Sequence, residues 1–132
     1  MSRCKFYDYV DTNGINIIKA ELDGLGTKVK ARITAKLNAL EQMEQADWRS
    51  SRMIEVLKAD KDGLLAVIAE FQGVQHRLLG YYGPYRGECT LLAYCKERDD
   101  KYIPLSIGNT AFNRMAEIQA NPPDRRIRHD FR

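Results

Sequence analysis

Residues 62–102 read DGLLAVIAEFQGVQHRLLGYYGPYRGECTLLAYCKERDDKY, and they carry most of the predicted strands. This stretch contains three strand-like runs, at residues 64–71, 74–82 and 89–96, each rich in apolar and aromatic residues. Gln72-Gly73 is a tight connection between the first two runs, and GPYRGE at residues 83–88 is a longer one. Connections this short favour antiparallel neighbours, so the stretch predicts a three-stranded meander.

The first and last of these runs carry further information. The first run is apolar on both alternating sides, which predicts a central strand covered on both faces or packed on its neighbours. The last run passes from apolar residues into six consecutive charges at residues 96–101 and then Tyr102. Two interpretations of that ending are open: the strand reaches the surface and the chain turns, or the strand end carries a site.

The rest of the chain predicts one more strand and three helices. Residues 6–10 form a first strand that ends in the turn sequence DTNG, and a helix begins at Ile15. A second helix, capped by Thr27, has the clearest apolar stripe, at Val29, Ile33, Leu37, Leu40 and Met43. A third helical pattern covers residues 111–119. The order strand-helix-helix-three strands-helix predicts an α+β domain with a small antiparallel sheet and helices packed on one face.

Composition indicates a single globular domain. The chain has 132 residues, of which 44% are hydrophobic and 30% charged, and its net charge is +3. We expect the domain to span residues 1–121, with residues 122–132 forming a basic and mobile tail after Pro122-Pro123. The three cysteines have neither disulfide nor zinc spacing, which predicts reduced thiols and no metal. We found no signal peptide or membrane-length apolar run, so we expect a soluble, cytoplasmic protein.

Two basic groups have the composition of phosphate-tracking surfaces. One comprises Lys28, Lys30, Arg32 and Lys36, and the other comprises Arg125, Arg126, Arg128 and Arg132. For either group, the alternative is a solvated face or a soluble tail. We expect removal of residues 124–132 to weaken RNA or ribosome binding and to leave the fold intact, with an inert tail as the alternative.

Aromatic residues alternate with a cation near the second hairpin. Tyr81, Tyr82, Tyr85 and Arg86 either stack on bases or pack in the core and loop. The candidate RNA-binding residues are therefore Lys28, Arg32, Lys36, Tyr82, Arg86, Arg125, Arg126 and Arg128.

Four motifs together resemble the RelE/HigB superfamily of bacterial toxins, and in particular its phage-derived HigB-like branch. They are DGLLAVIAEF at residues 62–71, HRLLGYY at 76–82, LLAYCKERDDKYIP at 91–104 and AFNRMAEI at 111–118. Their order and spacing carry the resemblance, which covers roughly residues 5–120. The resemblance implies a RelE-like fold and a metal-independent endoribonuclease without a cofactor, often acting on ribosome-bound message. It also implies a cognate antitoxin partner, a small helix-turn-helix protein.

The family's chemistry is attack of a ribose 2′-hydroxyl on the adjacent phosphate, which needs proton transfer and cations that stabilise phosphate charge. By resemblance, Arg77 occupies the arginine position of the family's YR motif, and Lys96 and Arg98 occupy the basic strand end. Lys101 and Tyr102 follow in the loop, and these five are the candidate catalytic residues. The alternatives are an Arg77 bridge to Glu70, a strand end paired with Asp99 and Asp100, and a packed Tyr102.

The chain departs from the family pattern at four positions. Glu97 replaces a usual lysine, Ala66 and Ile68 replace a polar pair, and His76 replaces a tyrosine. His76 is more consistent with a satisfied core or edge histidine than with a catalytic base. These departures support a second hypothesis: a non-catalytic, phage-derived RNA- or protein-binding protein that retains the fold.

Overall fold

The computed structural model describes residues 2–132, which form seven strands and four α-helices. The strands are β1 (Lys5–Tyr9), β2 (Ile54–Val56), β3 (Leu65–Phe71), β4 (Val74–Tyr82), β5 (Glu88–Arg98), β6 (Lys101–Ile103) and β7 (Arg126–Arg128). The helices are α1 (Ile17–Asp23), α2 (Thr27–Glu41), α3 (Ile107–Ala120) and α4 (Pro122–Arg125). Short 3₁₀ turns occupy Gln45–Asp47, Arg49–Ser51 and Ala59–Lys61. The predicted α+β class is confirmed, and the principal elements follow the predicted order.

The strands form one mixed sheet in the order β2-β3-β4-β5-β1-β7, with β6 paired to the other end of β5. The predicted meander is confirmed, because β3, β4 and β5 pair antiparallel in sequence order. The expectation of a wholly antiparallel sheet is wrong, since β1 runs parallel to β5, with Lys5 opposite Glu88. The reason is topological: the α1–α2 hairpin and the meander separate β1 from β5, so no tight turn sets their relative direction.

Helices lie on both faces of the sheet, which corrects the expectation of one covered face. Residues 89–95 of β5 are buried without interruption, so both faces of this strand are covered. Phe6 stacks on Trp48, whose indole N–H donates to a carbonyl in α2. Tyr9, which points to the opposite face of β1, donates its hydroxyl to Glu117 in α3 at 2.9 Å. Hence α2 and α3 sandwich the sheet.

Helical periodicity and capping account for the α1–α2 hairpin. The Asn16 side chain accepts a hydrogen bond from the Lys19 backbone N–H at 2.9 Å, which caps the start of α1. Gly26 has a φ of 90°, a conformation that glycine adopts without steric cost, and α2 begins at the next residue. The centre of the predicted stripe of α2 is buried, at Ile33, Leu37 and Leu40. The two helices therefore pack their apolar sides inward, as predicted.

The C-terminal segment is part of the folded domain, so the expectation of a mobile tail is wrong. Residues 126–128 form β7, which pairs antiparallel with β1 and covers its outer edge. His129 follows, and its Nδ1 lies 2.7 Å from Asp8 Oδ1, with both side chains at most 3% exposed. Asp8 also accepts a hydrogen bond from Asn16 at 2.9 Å. The segment stays attached because a buried Asp8 carboxylate needs its imidazole partner.

We expect His129→Ala to lower the free energy of unfolding by about 2–4 kcal/mol, because it removes a buried partner of the Asp8 carboxylate. Urea unfolding followed by far-UV circular dichroism measures the effect. Arg132→Ala is the control, since the Arg132 side chain is 93% exposed, and we expect no change in stability. Equal stability of the His129→Ala variant and the wild type would contradict this account of the C-terminal segment.

Candidate active site

Arg77 lies at the centre of a buried polar cluster on one face of the sheet. It stands on β4 opposite Ile68 of β3 and Cys95 of β5, and its side chain is 7% exposed. Its guanidinium donates to Glu55 Oε2 and to Gln75 Oε1, both at 2.9 Å, and forms an ion pair with Glu97. The predicted alternative of a bridge to Glu70 is wrong, because the carboxylates that pair with Arg77 come from β2 and β5.

The cluster keeps Arg77 charged and Tyr102 protonated. Burial lowers the pKa of Arg77, but the hydrogen bond to Glu55, Tyr102 and the charges of both glutamates together raise the pKa above its usual value. Burial raises the pKa of Tyr102, and the nearby Arg77 charge only partly opposes it. The Tyr102 hydroxyl lies 3.4 Å from Arg77 Nη1 and is a proton donor at neutral pH.

Above this cluster an open cleft of about 440 Å³ lies between the Ala59–Lys61 turn, β2 and the β5–β6 hairpin. Its charged and aromatic lining residues are Glu55, Lys58, Asp60, Lys61, Glu97, Asp100, Lys101 and Tyr102. The Lys61 ammonium lies 5.1 Å from the centre of the Tyr102 ring, and the Arg77 guanidinium lies 5.5 Å from it. Carboxylates, ammonium groups and a phenol thus converge on one cleft with a buried guanidinium beneath it.

A tight hairpin turn between β5 and β6 positions Lys101 and Tyr102. Asp99 and Asp100 have φ values of 53° and 63°, in the left-handed region that aspartate tolerates better than most residues. The turn folds β6 back on β5, so that Tyr102 lies opposite Glu97 and Lys101 opposite Arg98. The charged strand end is therefore both a surface turn and a site wall, and the two interpretations of its sequence are not exclusive.

The sheet separates the five candidate catalytic residues. Arg77 and Tyr102 are in contact beside the cleft, and Lys101 lines the rim of the cleft, although its pairing with Arg98 turns its side chain away from Tyr102. Lys96 and Arg98 alternate with Glu97 on β5, so their side chains point to the opposite face, where both are exposed. A catalytic role for Lys96 and Arg98 stays a prediction, but they do not contact Arg77.

His76 is a satisfied core histidine on that opposite face. Its Nδ1 lies 2.6 Å from the Tyr94 hydroxyl, and the side chain is almost fully buried. Burial lowers the pKa of His76, with a further contribution from Lys96, while burial raises the pKa of Tyr94 to about 12. A neutral imidazole therefore accepts a hydrogen bond from a protonated tyrosine, which is a structural role.

The candidate RNA-binding residues fall into two groups. The first group forms no ion pair with any residue in 2–132, and it comprises Lys28, Arg32, Lys36 and Arg86. Tyr82, the aromatic candidate, is 43% exposed. The C-terminal arginines are each paired with a carboxylate: Arg125 with Glu117 at 3.1 Å, Arg126 with Glu88 at 2.9 Å and Arg128 with Glu41 at 2.7 Å. Their RNA-binding role stays a prediction, and it requires a phosphate to compete with these carboxylates.

Sequence reasoning missed Glu55 and Lys61 as members of the site. Glu55 is the one charged residue in the otherwise apolar run from Met53 to Leu57, and that isolation was the available signal. Lys61 had no comparable signal, because it lies in a polar turn beside Asp60 and Asp62. Both become site residues only through the pairing of β2 with β3 and the packing of the turn against Tyr102.

No family model, no curated protein and no solved structure matches the chain. Among residues 2–132, no three side chains of the metal-binding types His, Cys, Asp and Glu are grouped as a metal site requires. All three cysteines are buried and free. None of the helices formed by the described residues has the length and hydrophobicity needed to cross a membrane. The geometry of the cleft and the sequence motifs therefore carry the functional argument.

We expect Arg77 and Glu97 to be strongly coupled in stability. Arg77→Ala should cost about 3 kcal/mol, because it leaves the partly buried Glu97 carboxylate without its partner. The double variant Arg77→Ala/Glu97→Ala should be less destabilised than the sum of the single variants, with a coupling energy of about 1–3 kcal/mol. Urea denaturation of the four proteins in the cycle measures this coupling.

The matched control cycle pairs Glu97→Ala with Arg98→Ala, since Arg98 is its neighbour in sequence but lies on the opposite face. We expect a coupling energy near zero in that cycle. Additive effects of Arg77→Ala and Glu97→Ala would show that their ion pair contributes nothing to the fold.

Proposed function

We propose that this chain is the toxin of a toxin–antitoxin system, a RelE/HigB-like endoribonuclease that cleaves ribosome-associated message without a metal. The observation that carries the proposal is the cleft at the end of β5. There a half-exposed carboxylate, a protonated phenol and lysines lie above the buried Arg77. These are the groups that transfer of a phosphoryl group between two ribose oxygens requires.

The reaction assigns one role to each group in the cleft. Glu55, whose Oε2 is held by Arg77 and whose side chain is 50% exposed, accepts the proton of the ribose 2′-hydroxyl. The 2′-oxygen then bonds to the adjacent phosphorus, and the bond from phosphorus to the 5′-oxygen breaks. Tyr102 donates its proton to that leaving oxygen, and Lys61 beside Tyr102, with Lys101 at the rim of the cleft, stabilises the additional phosphate charge. The products are a 2′,3′-cyclic phosphate and a 5′-hydroxyl, and solvent restores both protonation states.

Three further features support the family assignment. The element order and the antiparallel meander are those that the family's fold requires, and the helical hairpin of α1 and α2 leaves the cleft uncovered on the opposite face. A cytoplasmic toxin with an open cleft of this kind needs an inhibitor. We propose a small helix-turn-helix antitoxin as that partner, which covers the cleft or blocks docking on the ribosome.

A second candidate function is favoured by the state of Arg77. Its charge is matched by two carboxylates, and its side chain is 7% exposed, so it is not presented directly to a phosphate. A non-catalytic phage-derived protein that binds RNA or a protein partner would retain this cluster for stability alone.

Tyr102→Phe separates the two candidates. The substitution keeps the ring and removes only the hydroxyl, so we expect an intact fold and a cleavage rate lower by roughly 10²-fold. Cleavage is measured on ribosome-bound and on naked RNA by detecting 2′,3′-cyclic phosphate ends.

Tyr7→Phe is the matched control, because Tyr7 lies on β1 and lines neither this cleft nor any other candidate site. We expect its cleavage rate to equal that of the wild type. Absence of 2′,3′-cyclic phosphate ends with the wild-type protein on both substrates would eliminate the enzyme and leave the binding protein.

A further inference from the structure

An aromatic stack runs from the core to the surface at the end of the sheet opposite the cleft. The Phe6 and Trp48 rings lie 5.3 Å apart and are tilted by 17°, and the Trp48 and Tyr82 rings lie 5.8 Å apart and are tilted by 37°. Phe6 and Trp48 are fully buried, while Tyr82 is 43% exposed. The stack therefore ends in a ring that is held on its inner side and open to solvent on the outside.

A second cleft, of about 220 Å³, adjoins this terminal ring. Tyr82 and Tyr85 both line it, together with the side chains of Gln45, Arg86 and Glu88. Tyr85 is 53% exposed, and Arg86 is exposed and forms no ion pair with any residue in 2–132. Burial raises the pKa of Tyr82 to about 12, so its hydroxyl is a hydrogen-bond donor at neutral pH. Two aromatic rings, polar groups and a free cation therefore border one small cleft.

The loop that carries Tyr85 and Arg86 is held by its own hydrogen bonds. Gly83 N–H donates to Glu88 C=O at 2.8 Å, and the Thr90 hydroxyl donates to Gly83 C=O at 2.7 Å. Lys5 N–H donates to Gly87 C=O at 3.0 Å, which ties the loop to β1. These bonds position the cleft before any ligand arrives, which reduces the entropy lost on binding.

We propose that this cleft binds an unpaired base of single-stranded RNA, which extends the Phe6–Trp48–Tyr82 stack and places its backbone phosphate at Arg86. The proposal rests on the proposed function for its ligand class, and it adds a second contact point for the substrate. Aromatic rings accept any base by stacking, and the polar groups of Gln45 and Tyr82 can bond to the edge of the base, while the Glu88 carboxylate is paired with Arg126.

The position of the cleft gives it a role distinct from catalysis. Glu88 and Arg98 are the two ends of β5, so the stacking cleft lies roughly 30 Å from the charged strand end, at about 3.3 Å per residue. A base bound there cannot contact the reacting phosphate. The stacking cleft therefore contributes affinity for the RNA strand and leaves the chemical step unchanged.

The test measures binding of a fluorescein-labelled, 2′-O-methyl single-stranded RNA 12-mer by fluorescence anisotropy, since this probe has no 2′-hydroxyl to react. We expect Tyr82→Ala and Tyr85→Ala each to weaken binding by on the order of five- to a hundredfold. Tyr82→Phe, which keeps the ring, should bind within about twofold of the wild type. The same 12-mer in a duplex should compete poorly, because its bases are already stacked on each other.

Ile15→Ala is the control, because Ile15 is a 51% exposed apolar residue that lines neither cleft. Thermal melting identifies any variant that is not folded, and the loop variant Tyr85→Ala keeps the test decisive if Tyr82→Ala unfolds. Binding by folded Tyr82→Ala and Tyr85→Ala variants within twofold of wild type overturns the proposal, as does a wild-type protein that does not bind the 12-mer.

These outcomes are separable from those of the proposed function. Loss of binding in the tyrosine variants without any wild-type cleavage would support the stacking site and refute the enzyme. Normal binding in those variants with cleavage that depends on Tyr102 would refute the stacking site and support the enzyme.

Discussion

Burial of β5 on both faces sets which residues this strand can contain and where its charged end begins. Residues 89–95 lie between α1 on one side and α3 on the other, so every side chain in that segment must be apolar or internally satisfied. Charged residues enter this strand only outside residues 89–95, at Glu88 before the covered segment and from Lys96 onward after it. The dense charges at residues 96–101 and the cleft that they border follow from the length of that covered segment.

Polar groups that do enter the interior are matched by specific partners. Arg77 is neutralised by Glu55 and Glu97, and Asp8 is held by His129 and Asn16. Burying a charge costs desolvation free energy, and its partners offset that cost. Removal of one partner leaves the other charge buried and unpaired, so the loss of stability exceeds the small net contribution of the pair. The two clusters therefore hold distant segments together. One joins β2, β4 and β5, and the other joins the C-terminal segment to β1.

The same pairing determines which cations remain open to a ligand. The arginines of the C-terminal segment are occupied by carboxylates, whereas Lys101 in the first cleft and Arg86 in the second have no carboxylate partner among residues 2–132. Because the two clefts lie at opposite ends of β5, a single extended strand of RNA would have to run the length of this interior strand along the surface to reach both. The proposed reaction site and the proposed remote contact would then divide the work, since parts of a substrate that do not react can supply binding energy.

Local sequence patterns predicted the α+β class of the fold and the place of one candidate site. Alternation and turn residues predicted the β3–β4–β5 meander, the spacing of Ile33, Leu37 and Leu40 predicted α2, and the charged end of the last run indicated the first cleft. These features were predictable because they depend on neighbours within a few residues. The spacing of apolar residues, with a period of 2 in strands and 3.6 in helices, indicates such local structure directly.

Contacts between distant segments were not predictable from local patterns and are seen only in the folded chain. The parallel pairing of β1 with β5, the helices on both faces, the burial of His129 and the contact of Glu55 with Arg77 all join residues far apart in the chain. The separation of Lys96 and Arg98 from Arg77 is of the same kind, since it depends on the register between β4 and β5. A local pattern reports whether a side chain is charged or apolar, but the partner that neutralises or covers it is set by long-range packing of the whole chain.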